Sequence, residues 1–154
     1  MPEQSLLTDE VRAQIGKTSA PVTVQVSRKI VRRSLDLYLG HHDRELEEGK
    51  PVPGLALVAL QPEAEGVSSP ELLPNSLLIS NEMLIERPLL LGETLTVQSR
   101  LADINERFGG RFGYSIYIRT ETEFRDEGGR LVATMANTMM YYDAAEARDG
   151  GEEQ

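Results

Sequence analysis

The chain has no cysteine and no tryptophan among its 154 residues, and only two histidines. Without cysteine there is no disulfide framework, thiolate metal site, iron–sulfur ligation or cysteine nucleophile. The two histidines, His41 and His42, are adjacent, so one chain cannot assemble a three-histidine zinc site, and no metal is expected. Aromatics are 5% of the chain, a thin supply for stacking nucleic-acid bases. A formal net charge of −9 argues against a polyanionic partner. No apolar run approaches the ~20 residues of a membrane-spanning helix. The opening MPEQSLLTDE is acidic and polar, unlike a secretory signal, so no membrane association is expected and the expected location is the cytoplasm.

What is present is ordinary globular composition, 40% apolar and 27% charged, at the length of one domain. The expected division is a single domain over residues 1–142. Residues 143–154 form an acidic tail with two glycines and no large apolar residue, which cannot bury enough surface to order itself. The opposite bias sits at Arg28-Lys29-Ile30-Val31-Arg32-Arg33, four bases in six residues. It reads either as a solvated helix face or as a contact for ligand phosphates, the first being commoner.

The first half reads as helical and broken. Thr8 is a good N-cap, Asp9 and Glu10 suit a first turn, Val11 and Ile15 pair one turn apart, and Gly16 closes the helix. Val22, Val24 and Val26 alternate with polar residues as a half-buried strand does. Ser27 caps a second helix to about Leu39, with Ile30, Val31, Ser34, Leu35 and Tyr38 on one face and Gly40 as terminator. Residues 41–52 read as a loop. Leu55–Leu60 is continuously apolar, and periodicity does not choose between helix and strand. Residues 61–76, with three prolines, read as a second loop or flap.

The second half alternates with period two. Leu77–Ile85 is extended and apolar. Glu93–Ile104 places Leu95, Val97, Ser99 and Leu101 on one side. Glu106–Gly110 is a turn. Phe112, Tyr114, Ile116, Ile118, Thr120, Thr122 and Phe124 share a face. Asp126-Glu127-Gly128-Gly129 is a hairpin turn, and Leu131–Tyr142 is apolar on both faces, as a strand inside a sheet or at a subunit interface is. The expected class is α+β: helices first, then an antiparallel meander of three or four long strands.

Specific segments carry a family resemblance. Ile85-Glu86-Arg87-Pro88-Leu89-Leu90-Leu91-Gly92-Glu93-Thr94-Leu95 resembles the F-x-R-P-L-x-x-G-D-x-L segment of the N-terminal half of MaoC-type dehydratases. Leu101–Arg107 resembles that family's V-x-D-V-x-E-R, and Phe124–Ala133 its D-x-x-G-x-L-V-A hairpin. Val52-Pro53-Gly54-Leu55 stands where the family enters its helix through Ala-Pro-Pro. The resemblance covers the chain from about Gly16. It implies a hot-dog fold, a curved antiparallel sheet wrapped around a helix. It also implies chemistry on 2-enoyl or 3-hydroxyacyl thioesters of CoA or acyl carrier protein, with that thioester as substrate and no further cofactor.

Hydrating such a thioester needs a general base, an acid for the α-carbon, and N–H groups polarising the carbonyl. Active members of the family carry Asp-x-Asn-Pro-x-His. The corresponding stretch here is Leu39-Gly40-His41-His42-Asp43-Arg44-Glu45-Leu46, without the Asn-Pro turn or a later histidine. His41, His42 and Asp43 are therefore the catalytic candidates, at a spacing unlike the family's. Pro53, Gly54 and Arg87 are the substrate-binding candidates: Gly54 for an N–H at a helix start, and Arg87 either there or pairing with Glu86 or Glu93. The missing motif implies a non-catalytic subunit that shapes the acyl site of a catalytic MaoC-like partner, as a heterodimer. The alternatives are a homodimeric hydratase, a thioesterase using one of Asp43, Glu45, Glu47 or Glu48, and an acyl-thioester binding module without turnover.

Overall fold

Three long consecutive strands carry most of the fold, and the alternation of the first two is what the sequence shows most clearly. The computed structural model describes residues 4–40, 45–61, 67 and 69–147. In chain order the elements are α1 (Asp9–Arg12), β1 (Val22–Gln25), α2 (Arg28–Leu39), β2 (Pro51–Val52), α3 (Ala56–Ala59), β3 (Asn75–Ile85), β4 (Leu89–Leu90), β5 (Thr94–Arg107), β6 (Ser115–Arg125) and β7 (Leu131–Tyr142). Five strands make one antiparallel sheet in the order β1-β5-β6-β7-β3, and β2 pairs with β4 in a separate two-stranded sheet.

The expected meander is therefore only partly right. β5, β6 and β7 follow one another, but β3 does not lie beside β5. It crosses to the far edge and pairs with β7, with Leu84 opposite Thr134 and Met83 opposite Met135. The physical reason is room: β5 already has β1 on its other side, with Val24 opposite Leu95. β7 is thus an interior strand, which accounts for its apolar residues on both faces.

Local signals set the helices. Thr8 and Ser27 each accept a hydrogen bond from the backbone N–H three residues on, at 3.3 Å, so both N-caps form. The first helix stops at Arg12, short of the expected Ile15, which is left exposed. In α2 the buried face is Val31, Ser34 and Leu35, whereas Tyr38 points to solvent. Leu55–Leu60 resolves as a single helical turn with Leu55 and Leu60 as its caps. β5 runs on through Arg107, and β6 starts at Ser115 rather than Phe112, because Gly109, Gly110 and Gly113 all adopt positive φ and turn the chain there.

The core is divided. One cluster joins α2 and α3 to the sheet through Val31, Leu35, Ala56, Leu57, Leu95, Phe124 and Met135. The other joins the N-terminal segment to the opposite end of the sheet through Leu7, Val11, Leu101, Ile104, Tyr114 and Ile118. Between them lies a polar seam, where the buried Ser99 and Thr122 hydroxyls share a hydrogen bond of 2.7 Å and Ser99 N–H donates to Ser19 at 3.0 Å. Among the described residues no fully buried side-chain nitrogen or oxygen lacks a partner, as burial without one would be costly.

Candidate functional site

Of the sequence candidates, Pro53, Gly54 and Arg87 lie among the described residues. α2 ends at Leu39, and Gly40 turns out of it with φ of 74°. His41, His42 and Asp43 follow directly and lie outside the described residues. The chain is described again from Glu45, and Arg28 of α2 donates a hydrogen bond to the Leu46 carbonyl, tying the returning chain to the helix. Glu47 and Glu48 then lead into β2.

Pro53 and Gly54 form the entry into α3. Their carbonyls accept from Ala56 and Leu57 N–H at 3.0 Å each. Both are half-buried, and a Cβ at Gly54 would stand 2.5 Å from Ile85 Cδ1, so this corner is pressed against the last residue of β3. α3 is one turn long and its N-cap position makes no side-chain hydrogen bond. Its dipole is correspondingly small.

Arg87 is held on the protein itself. Its guanidinium meets Glu93 through both arms, at 3.1 and 2.8 Å, donates to the Pro88 carbonyl at 2.9 Å, and lies 3.6 Å from Asp126. Glu93 also accepts from Leu90 N–H at 2.8 Å. The hydrogen bonds to Glu93 hold the Arg87 guanidinium further up its already high range, with the Asp126 charge adding to this. Asp126 is itself held below the usual carboxylate range, first by the N–H of Arg130 and then by the Arg130 and Arg87 charges. Arg87 thus clasps the 87–93 corner to the β6–β7 hairpin. A forked pair of this kind leaves few donors for a ligand.

Two surface features beside this corner were not singled out in the sequence. The first is the outer edge of the sheet. β3 has β7 on one side and, among the described residues, no strand on the other. Leu77, Leu78, Ile79, Met83, Leu84 and Ile85 are 38–62% exposed along it. The signal was available in the apolar run, but its exposure depends on pairing order. The second is a groove of about 280 Å³ between α2 and α3, lined chiefly by Ile30, Arg33, Leu37, Tyr38 and Val58. Its two walls, residues 30–38 and 58–59, come from separate stretches of the sequence, so no local pattern announces it.

Among the described residues no cluster of three or more His, Asp or Glu side chains is placed to hold a metal ion, and no helix is long and apolar enough to cross a membrane.

The family model for the FAS1-like dehydratase domain region matches residues 13–135. The chain belongs to this family. Solved structures agree on the fold. A chain of the ChsH1–ChsH2 complex from Mycobacterium tuberculosis superposes with a TM-score of 0.70 at 15% identity, over 92% of this chain and 93% of that one. A chain of the HadBC (3R-hydroxyacyl-ACP dehydratase) complex from the same organism gives 0.62 at 16% identity, over 88% and 99%. A MaoC-like dehydratase from Phytophthora capsici gives 0.61 at 20% identity, over 92% of this chain but 52% of that one. No curated protein matches the chain in sequence. The fold is thus the α+β hot-dog of the MaoC-like dehydratases, as the motifs of residues 85–133 implied. The short α3 and the neighbouring α2 occupy the face that the sheet wraps.

Proposed function

We propose that this chain is a non-catalytic subunit of a hetero-oligomeric hydratase or dehydratase acting on 2-enoyl or 3-hydroxyacyl thioesters. The observation that carries the reading is the edge strand β3. It presents six large apolar side chains on a strand that, among the described residues, has a neighbour on one side only. An edge of this character invites strand addition by another chain. The ChsH1–ChsH2 and HadBC neighbours are chains of complexes, and the Phytophthora capsici neighbour is about twice as long as the matched part. Each is consistent with a unit of this fold working beside further chain.

The departure at residues 41–43 supports the non-catalytic role. An Asp and His pair must converge on one substrate atom, and the adjacent His41, His42 and Asp43 do not keep the spacing of the family's Asp-x-Asn-Pro-x-His. Pro53 and Gly54, at the junction of α3 and β3, form the wall nearest the proposed subunit contact and are the best-placed of the substrate-binding candidates. Arg87 acts in this reading by fixing the corner behind them. In the competing reading the same edge pairs with a second copy, and His41, His42 and Asp43 act as the catalytic groups of a homodimeric hydratase.

Co-expression with a MaoC-like chain carrying Asp-x-Asn-Pro-x-His, followed by purification through a tag on this chain, tests the assignment. The expected result is a stable complex that hydrates crotonyl-CoA. Failure of every such chain encoded by the source genome to bind or to hydrate would overturn it.

A further inference from the structure

The wrapped face of the sheet carries polar side chains that are satisfied towards β1 and unsatisfied towards the free edge. Cross-strand register puts Leu101, Thr120, Asn137 and Asn81 in one row across β5, β6, β7 and β3. Ser99, Thr122, Met135 and Met83 form the next row on the same face. Towards β1 the polar groups bond one another, as Ser19, Ser99 and Thr122 do. Towards the edge they do not: among the described residues the side chains of Thr120, Asn137 and Asn81 make no hydrogen bond. Thr120 and Asn137 are half-buried and Asn81 is exposed. The two amides stand opposite each other between the two apolar clusters, with Met83 and Met135 on one side and Leu78 and Met139 on the other.

A second subunit joined to β3 makes this edge interior, and the amides then lose water. A buried amide left without a partner is costly, so the pair calls for a group that bonds it. Each side-chain amide both donates and accepts. On this face β3, β5, β6 and β7 place no lysine or arginine, so a carboxylate or phosphate would find no counter-charge. The group that fits is uncharged. Three methionines around it make an apolar surface that adapts its shape to a ligand. We propose that Asn81 and Asn137, with Thr120 beside them, bind an uncharged oxygen, a hydroxyl or keto group, carried far down the acyl chain of the thioester. This rests on the thioester reading above and adds to it the class of acyl chain. Asn81 is four residues before Ile85, which touches the Gly54 corner, or about 13 Å along β3 at ~3.3 Å per residue. An extended hydrocarbon chain of ~1.5 Å bonds needs on the order of ten carbons to span that distance. The recognised oxygen is therefore remote from the carbons that react.

Titration of the full chain, and of its complex with a catalytic partner, tests the proposal with dodecanoyl-CoA and three oxygenated probes: 10-hydroxydodecanoyl-CoA, 12-hydroxydodecanoyl-CoA and 10-oxododecanoyl-CoA. Wild type should bind at least one oxygenated probe about tenfold more tightly than dodecanoyl-CoA. The preferred probe separates hydroxyl from keto. In Asn81→Leu/Asn137→Leu the preference should vanish, while dodecanoyl-CoA binds as tightly as before or more so. The readout is a ratio between probes, which a role confined to holding β3 against β7 would not move. Should the double variant melt early, Asn81→Ala, at an exposed position, carries the same test, with the preference reduced by about threefold or more. Equal affinity of wild type for all four probes, a preference that survives the substitutions, or loss of subunit association in place of the preference overturns the subsite and leaves the thioester reading standing. Failure of all four probes to bind the wild-type chain and complex overturns both.

Discussion

Replacing Leu78 and Leu84 together by lysine should abolish association through β3 while leaving the subunit folded. The two side chains are 54% and 62% exposed, so little of either is used by the subunit's own core. Fully burying a leucine contributes about 1.5–3 kcal/mol, and covering the exposed half of each therefore contributes about 1–1.5 kcal/mol. Losing both removes about 2–3 kcal/mol, or roughly a hundredfold in the dissociation constant. Desolvating two ammonium groups adds to that loss, and lysine is a natural guard against strand addition. Multi-angle light scattering over a concentration series reads the effect, with the melting temperature of the dilute protein as control. In wild type the mass should exceed that of the 17.1 kDa chain at high micromolar concentration, or with its partner added. In the variant it should fall to the single chain. A variant that associates as wild type does would refute the assignment of β3 as the contact.

Three further predictions concern the fold. Gly92 has φ of +87°, and a Cβ there would stand 1.9 Å from a carboxylate oxygen of Glu48, so Gly92→Ala should cost about 1–3 kcal/mol in urea unfolding. Burial pushes the Tyr114 phenol up, helped by its 2.6 Å hydrogen bond to Glu106. The stability that this contributes is present below the unfolded phenol range and is lost as pH rises through the folded value. Tyr114→Phe should therefore lower stability by about 1 kcal/mol at neutral pH and flatten the alkaline limb of a melting-temperature profile. Glu121 is held below the usual carboxylate range, chiefly by Arg100 and then by Arg119. Its contribution is present above the unfolded carboxylate value and lost as pH falls through the folded one. Glu121→Gln should reduce acid sensitivity by no more than about 1 kcal/mol, as befits a partly exposed pair.

The elements that were legible in the sequence are those whose signal is local. Alternation marked β5 and β6, the Asp126–Gly129 turn marked the hairpin between β6 and β7, and Thr8 and Ser27 marked two helix starts. The position of β3 was not legible, because strand order is decided by which edge is free after β1 has taken its place beside β5. The spacing of Val11 and Ile15 suits a helix, yet the chain leaves the helix after Arg12, and Gly16 N–H is drawn onto the Leu101 carbonyl at 2.7 Å. At the site, the sequence around Arg87 suits both a substrate contact and a partner of Glu93, and only distances separate these. The groove beside Arg33 was invisible for a different reason: α3 closes it from elsewhere in the chain.

The central claim is that this hot-dog subunit does not itself supply the acid and base. The most direct measurement is the rate of crotonyl-CoA hydration by the purified chain, alone and with a catalytic partner, for wild type and for His41→Ala/His42→Ala. Losing a positioned acid or base costs about 10²–10⁴ in rate. The account predicts near-inertness alone, hydration with the partner, and less than about a tenfold change on replacing both histidines in the complex. Brisk hydration by the isolated wild-type chain, abolished by the double substitution, would contradict it and make Asp43 the leading candidate for the histidines' catalytic partner.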